Sequence, residues 1–247
     1  MARVVAAETL DHLAPTDPAA MRSRRDLVRV HRAMRTRSIV ARGWQSLVSS
    51  QRAGAPLKIL EIGAGDGTLL LGVARSLVPR WPQVQLTLLD RQDLVDPATR
   101  SGYAGLGWST TVEVADILAW AGRPEAAAAA ALVASPRWDL ISTTLFLHHF
   151  EGAQLDALLA AVAARADRFF ACEPARSWLA LAGSHLVGAI GANTVTRGDA
   201  VLSVQAGFRA GEISARWPGR AQGWQVQEFA TGLFSHCFSA RRSGTER

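Results

Sequence analysis

Residues 58–68 read KILEIGAGDGT, a short apolar run followed by three alternate glycines and a threonine. Leu57–Ile62 has the length and composition of a buried strand, and a helical pattern runs from Thr68 to Val78. A glycine-rich turn between a strand and a helix lets a ligand approach the backbone and presents N–H groups to it. The stretch therefore predicts a site for a nucleotide-like cofactor at the carboxyl end of a strand.

The spacing of the glycines narrows the kind of cofactor. Dinucleotide-binding turns follow G-x-G-x-x-G, in which the third glycine comes three residues after the second. Here Gly63, Gly65 and Gly67 follow G-x-G-x-G, and Thr68 stands where the third glycine of a dinucleotide turn belongs. Glu61 lies two residues before the first glycine. This spacing argues against a pyrophosphate-binding turn and against hydride transfer.

Apolar runs and helical stretches alternate after the glycine turn, as they do in a parallel sheet covered on both faces. The predicted strands are 57–62, 84–90, 111–114, 139–145 and 168–172, and the main later helix covers 151–166. Two further strands, 224–230 and 233–240, flank Thr231-Gly232 and predict a hairpin. The sequence therefore predicts an α/β protein with a doubly wound, mostly parallel sheet.

The first 52 residues differ from the rest of the chain. They are rich in arginine, and Leu27, Val30 and Met34 recur at helical spacing. We expect a helical cap over residues 1–52 and the main domain over residues 53–247. The arginine-rich stretch has three interpretations: a solvated helix face, a surface for an acidic carrier protein, or a contact with an anionic membrane.

Composition sets the broad class of protein. The chain has 247 residues, 49% of them hydrophobic, which suffices for a sizeable core. The net charge of +6 invites a nucleic-acid partner, but Lys58 is the only lysine and arginine supplies the other 26 of 27 basic residues. Such an arginine and alanine bias is typical of GC-rich coding sequences, so a nucleic-acid partner is not expected.

The few cysteines and the absence of long apolar runs indicate a cytoplasmic protein without a membrane span. Cys172 and Cys237 are too few for a disulfide scaffold. No run of about 18 apolar residues exists, and Met1–Leu13 lacks the apolar region of a secretion signal. The histidines are scattered and lack a carboxylate at ligand spacing, so no metal site is expected.

The glycine motif and its surroundings resemble class I S-adenosylmethionine-dependent methyltransferases. Glu61-x-Gly63-x-Gly65-x-Gly67 resembles the first motif of that family, and the later motifs follow in order to residue 174. The resemblance implies a Rossmann-like sheet of seven strands and S-adenosyl-L-methionine as cofactor. Asp90 matches the acid that binds both ribose hydroxyls, and Asp116-Ile117 match the acid and apolar residue at the adenine. The cofactor-binding residues so implied are Glu61, Gly63, Ala64, Gly65, Gly67, Asp90, Arg91, Asp116, Ile117 and Thr143.

The end of the fourth strand indicates the kind of acceptor. Methyltransferases of base amines carry Asn/Asp-Pro-Pro-Tyr/Phe there, whereas residues 142–145 read Ser-Thr-Thr-Leu. The Leu-His-His-Phe ending, residues 196–208 and residues 24–34 resemble a small-molecule subgroup associated with type III polyketide synthases. The resemblance implies a transferase of secondary metabolism that methylates an oxygen or carbon of a phenolic or polyketide-like acceptor. An RNA methyltransferase acting on ribose or a ring carbon, and a non-catalytic cofactor-binding module, are the alternatives.

His149 and His148 are the candidate catalytic residues, because they lie just past the fourth strand at the ligand-binding rim. A histidine there could act as the general base for a phenol. If the turn starts a helix, the two rings point in different directions. At most one of them would then face the methyl group, and the other would cap the next helix or pack against it. The apolar segment 177–193 is either a core helix or a lid over the substrate. The sequence does not indicate the oligomeric state.

Overall fold

The computed structural model describes residues 1–48, 55–123, 137–218 and 223–244. Most of the linker and of the alanine-rich stretch that starts at Gly122 lies outside these residues. The strands are β1 Leu57–Ile62, β2 Val84–Asp90, β3 Trp108–Val114, β4 Leu140–Thr144, β5 Arg168–Pro174, β6 Trp224–Thr231 and β7 Ser235–Arg242. The helices are α1 Pro18–Met34, α2 Thr36–Leu47, α3 Thr68–Leu77, α4 Pro97–Ala104, α5 Ile117–Ala121, α6 Gly152–Arg165, α7 Trp178–His185, α8 Thr194–Ala206 and α9 Glu212–Arg216.

The sheet has seven strands in the order β3-β2-β1-β4-β5-β7-β6. Strands β1 to β5 are parallel, and β7 pairs antiparallel with both β5 and β6. The predicted parallel sheet and the predicted hairpin are both confirmed. The strand order reverses between β1 and β4, and open α/β sheets bind ligands in the crevice at such a point.

Helices cover both faces of the sheet and bury two apolar cores. Consecutive residues of a strand point to opposite faces, so Phe170 joins the core under α2 and α3 while Phe169 joins the core under α6. In the first core the rings of Trp44 and Trp81 stack with centroids 6.1 Å apart. This two-sided burial explains why the strands read as nearly continuous apolar runs.

Strand β3 begins at Trp108, three residues before the predicted start at Thr111. Trp108 is buried, donates from Nε1 to the carbonyl of Trp81 over 3.0 Å and stacks on Tyr103. The apolar pattern does not extend through Ser109 and Thr110, so the sequence gives little sign of the early start. A single buried tryptophan fixes the beginning of this edge strand.

Helix α2 lies directly on the sheet. Trp44 is buried and donates from Nε1 to Oγ of Ser142 in β4 over 3.0 Å. At Gly43 the helix comes so close to the ring of Phe170 that a Cβ there would lie well inside van der Waals contact. The second half of the arginine-rich region is thus packed against the main core.

We expect Gly43→Ala to lower the free energy of unfolding by roughly 1–3 kcal/mol, because the added methyl group overpacks the contact with Phe170. This would hold although alanine is the better helix former by about 1 kcal/mol. Urea unfolding measures the change. The matched control is Gly198→Ala in α8, where a Cβ meets no atom within 4 Å and stability should rise. A Gly43→Ala protein as stable as the wild type would contradict this packing.

Of the two interpretations of the segment 177–193, the core helix is wrong. The segment forms α7 and a single turn of 3₁₀ helix, Val187–Ile190, with Ala180 and Ser184 turned inward. Trp178, Leu179, Leu186 and Ile190 are exposed to solvent. Across the residues that the structure describes, no helix is long and apolar enough to cross a membrane.

Candidate functional site

The glycine turn between β1 and α3 has a backbone that favours glycine. Gly63, Gly65 and Gly67 have φ of 73°, 56° and 73°, in the left-handed region. A Cβ on Gly63 would also overlap the ring of Phe146. The N–H of Gly63 and the N–H of Ala64 donate to the carbonyl of Leu89 over 2.9 and 3.1 Å, which ties the turn to β2. The turn is therefore held open at the carboxyl end of β1.

Asp90, the last residue of β2, organises the neighbouring edge. Its Oδ2 accepts from the N–H of Gly65 over 2.9 Å, and its Oδ1 accepts from the N–H of Gln92 over 3.1 Å. Each carboxylate oxygen has two lone pairs, so both can accept a second hydrogen bond from a ligand. The carboxylate thus links the glycine turn to the end of β2 and can accept further hydrogen bonds at this edge of the sheet.

A cavity of about 440 Å³ lies above this edge of the sheet. Of the predicted cofactor-binding residues, those that line it are Glu61, Gly63, Ala64, Gly65, Asp90, Arg91, Asp116 and Ile117. Asp116 also caps the N-terminus of α5, where its Oδ1 accepts from the N–H groups of Leu118 and Ala119 over 2.9 Å each. Residues far apart in the sequence thus converge on one cavity, as the order of the motifs predicts.

Gly67 and Thr143 were predicted with this group, but the structure does not place them at the cavity wall. Gly67 closes the turn. Its N–H donates to the carbonyl of Ala64 over 3.1 Å, and its carbonyl accepts from the Tyr103 hydroxyl over 2.7 Å. Thr144 lines the cavity in place of Thr143, because neighbouring residues of β4 point to opposite faces.

Glu61 is a buried acid on the cavity wall. Burial raises its pKa to about 8, and the negative charge of Glu173 adds to the rise. Within the described residues its Oε2 has no hydrogen-bond partner. A buried acceptor without a partner is costly, so a ligand that brings a positively charged donor would be stabilised here.

His148 is buried between two carboxylates. Its Nδ1 lies 2.9 Å from Oε2 of Glu173, and its Nε2 lies 3.2 Å from Oε1 of Glu8. Glu173 also accepts from the N–H groups of Phe146 and Leu147 over 3.1 and 3.0 Å, so it holds the whole turn after β4. Burial alone would lower the pKa of His148, but the hydrogen bonds to Glu173 and Glu8 raise it to about 9.

Glu8 belongs to an N-terminal segment, residues 1–13, that lies across the cavity. Arg3 donates to the carbonyls of His148 and Phe150 over 3.2 and 2.9 Å, and the N–H groups of Thr9 and Leu10 donate to Asp199. None of the predicted site residues lies in this segment. Its mostly extended backbone has no periodic pattern, and its partners, among them Arg91, His148 and Asp199, lie far away in the sequence.

His149 lines the same cavity, but its pKa is shifted in the opposite direction to that of His148. Its Nδ1 lies 3.3 Å from the carboxylate of Asp11. Burial and the neighbouring His148 lower the pKa of His149 below its usual value. The two imidazole rings do not diverge as expected, because their centroids are 4.3 Å apart. One ring is therefore held protonated and the other neutral at the same point of the wall.

The sequence predicts no carboxylate at ligand spacing from the histidines, and the structure differs. Glu8 brings a carboxylate beside His148 and His149, and one ligand atom from each of the three lies within 4.8 Å of the others. In the structure the Glu8–His148 contact has the geometry of a hydrogen-bonded ion pair. The carboxylate comes from a distant extended segment, so spacing in the sequence could not reveal it.

Helix α1 closes the cavity from the side of the cap. Arg24, Leu27, Val28 and His31 line the wall, and burial lowers the pKa of His31 to about 4. This imidazole is therefore neutral at neutral pH. The cap contributes an apolar wall together with one arginine.

The contacts of His148 predict a pH-dependent contribution to stability. The pKa of His148 in the folded protein, about 9, lies above the ordinary value of 6.5. The pairing of His148 with Glu8 and Glu173 therefore stabilises the fold fully below pH 6.5. This contribution is lost as the pH rises through about 9. Urea unfolding from pH 6 to pH 9.5 should show the loss, and His148→Gln should flatten it. Equal slopes in the two proteins would contradict a charged His148.

Comparisons with known proteins bear on the fold. No protein-family model and no curated protein sequence matches the chain. Among solved structures it is similar to the plantazolicin methyltransferase BpumL in complex with SAH, at 13% identity over 92% of this chain and 91% of that chain, with a TM-score of 0.61. It is similar to the plantazolicin methyltransferase BamL in complex with a triazolic desmethylPZN analog and SAH, at 15% identity over 90% of each chain and a TM-score of 0.60. An O-methyltransferase family protein from Burkholderia thailandensis aligns at 14% identity over 95% of this chain and 62% of that chain, with a TM-score of 0.56. At these identities the matches show that the chain has the α/β fold of these proteins.

Proposed function

We propose that this chain is an S-adenosylmethionine-dependent methyltransferase. The observation that carries the proposal is the convergence of the glycine turn, Asp90, Asp116 and Ile117 on one cavity beside the unpartnered oxygen of Glu61. The fold supports it, because the similar BpumL and BamL structures contain SAH. So many retained positions argue against a non-catalytic module that has lost its cofactor site.

The residues present fit this cofactor by their chemistry. The Gly63–Gly67 turn offers a close backbone, the two oxygens of Asp90 suit the ribose hydroxyls, and Asp116 and Ile117 suit the adenine amine and ring. Glu61 suits the ammonium of the methionine part, which would supply the donor that its Oε2 lacks. When bound, the cofactor supplies an electrophilic methyl group on a sulfonium, and the protein mainly aligns the acceptor with it.

We propose different roles for the two histidines. His149 is neutral at neutral pH and lines the cavity, so it accepts the proton of an acceptor hydroxyl as the oxygen becomes the nucleophile. His148 already binds a proton between Glu8 and Glu173. It is a positioning residue, because it fastens the N-terminal segment and fixes the ring beside it.

The proposed acceptor is a small phenolic or polyketide-like molecule, methylated on oxygen or carbon in the cytoplasm. Leu27, Val28 and Phe150 give the cavity an apolar wall, which suits an aromatic acceptor better than a charged polymer. The resemblance of residues 24–34 and 196–208 to the subgroup associated with type III polyketide synthases supports the same class. Incubation with S-adenosylmethionine and a panel of phenols and β-dicarbonyls, followed by mass spectrometry, tests it. Failure to methylate any member, with cofactor binding intact, would contradict the acceptor class.

The buried acid Glu61 predicts proton release when the product S-adenosylhomocysteine (SAH) binds. Its pKa of about 8 means that it is mostly protonated at pH 7, and pairing with the SAH ammonium requires the carboxylate. Calorimetry at pH 7 in buffers of different ionisation enthalpy should show nearly one proton released per SAH. Glu61→Gln is the control and should abolish the release. Equal proton release in both proteins would show that Glu61 does not face the ammonium.

A further inference from the structure

One stretch of the surface carries no charged residue other than a histidine. Residues 177–196 contain no Asp, Glu, Lys or Arg, and they form α7, the turn Val187–Ile190 and the start of α8. Trp178, Leu179 and Leu186 are 71%, 55% and 67% exposed, while Ala180 and Ser184 face the protein. None of these residues lines the cavity described above. Trp178, Leu179 and Leu186 therefore point to solvent and have no role in that site.

The turn of the β6–β7 hairpin extends this surface. Leu233 is 63% exposed, and the ring of its neighbour Phe234 lies 2.7 Å from where a Cβ of Gly183 would be. The N–H of Ala175, just before α7, donates to the carbonyl of Phe234 over 2.8 Å. We call Trp178, Leu179, Leu186, Ile190 and Leu233 the apolar surface. Single exposed apolar side chains are normal, but such a group marks an interaction site.

A row of arginines follows one face of α1. Arg22, Arg25, Arg29 and Arg32 are exposed at spacings of three and four residues, which places them on one side of the helix. Asp26, the only acid in α1, is buried and pairs with Arg29. Within the part of the chain that the structure describes, the other three arginines form no salt bridge.

The arginine row borders the apolar surface. A guanidinium nitrogen of Arg29 donates to the carbonyl of Gly191 over 3.1 Å, directly after Ile190. Arg197 closes the same edge, since its Nε lies 3.0 Å from where a Cβ of Gly188 would be. Positive charge and exposed apolar side chains thus form one continuous face.

We infer that this face docks the protein on the surface of an anionic lipid bilayer. Tryptophan and leucine side chains insert at the boundary between headgroups and acyl chains, while arginines attract anionic headgroups. A second copy of the chain is a poorer partner, because each copy has a net charge of +6 and presents the same arginines. The inference does not depend on the proposed methyltransferase activity.

Vesicle flotation of the full chain tests the inference. Vesicles of phosphatidylcholine with 30% phosphatidylglycerol should carry the protein upward, and vesicles of phosphatidylcholine alone should not, at an ionic strength of about 0.1 M. Arg22→Gln/Arg25→Gln should weaken binding to the anionic vesicles roughly 30-fold. Trp178→Ser/Leu186→Ser should weaken it at least roughly tenfold. All four side chains are exposed, so the variants should fold, and thermal unfolding followed by circular dichroism checks this.

The matched control is Arg75→Gln/Arg80→Gln, which removes two exposed arginines from the region of α3 and should leave binding unchanged. No flotation with anionic vesicles would overturn the inference, as would equal loss in the control. So would a concentration-dependent dimer that Trp178→Ser/Leu186→Ser abolishes, because the face would then join two copies. Binding to an acidic carrier protein but not to vesicles would overturn it in favour of a protein partner.

Discussion

Replacing Asp90 by alanine is expected to weaken SAH binding by roughly 100-fold or more. A hydrogen bond to a charged group is worth about 1.5–3 kcal/mol, and Asp90 can accept from both ribose hydroxyls. Each 1.4 kcal/mol is about a factor of ten in the dissociation constant. The substitution also removes the acceptor of the Gly65 N–H, which loosens the glycine turn. Isothermal titration calorimetry measures the change.

Two further variants distinguish the loss of the ribose contact from the loosening of the glycine turn. Asp90→Asn keeps an oxygen for the Gly65 N–H but loses the charge, so it should bind SAH with intermediate affinity. Asp93→Ala removes a carboxylate that is 55% exposed, pairs with Arg100 and does not line the cavity, so its affinity should equal that of the wild type. If Asp90→Ala binds SAH as well as Asp93→Ala does, then Asp90 does not hold the ribose.

Replacing His149 by alanine is expected to lower kcat with a phenolic acceptor by roughly 10²–10⁴, the usual contribution of a general base. Affinity for SAH should hardly change, because the acceptor rather than the cofactor meets this ring in the proposed site. The exposed His185, outside the cavity, supplies the matched control His185→Ala. A His149→Ala enzyme with kcat within a few-fold of the control would overturn the proposed base.

The pH profile gives a second test of His149. The groups facing it are His148, Glu8, Asp11 and Glu173, and burial with the charge of His148 places the pKa of His149 below 6.5. A base must be deprotonated, so kcat should be flat through neutral pH and fall only in acid. His149→Ala should lack this acid limb. An acid limb centred above pH 7 in the wild type would contradict the role.

The sequence predicts the bounds of β1 and β2 correctly, because each strand is an apolar run that a glycine turn or an acidic residue ends. β1 ends at Ile62, directly before the first glycine of the turn, and β2 ends at Asp90. Strand β3 is less clear, because Ser109 and Thr110 interrupt the apolar pattern while pairing with β2 fixes their strand geometry. Local composition thus identifies buried central strands better than edge strands.

Most predicted cofactor residues meet at the cavity because the carboxyl ends of parallel strands share one edge of the sheet. Thr143 and Thr144 show the limit of this reasoning, since a position one residue along a strand faces the opposite side. The partners of His148 show another limit. Glu8 reaches it from an extended segment that no periodic pattern marks. The part of the cavity wall around His148 therefore depends on long-range contacts that only the structure reveals.

Titration of the wild-type protein with SAH, with NADH in a parallel titration, tests the proposed cofactor most directly. We expect one SAH bound per chain with a dissociation constant in the micromolar range, and no binding of NADH. Binding of NADH, or no binding of SAH at millimolar concentration, would contradict it.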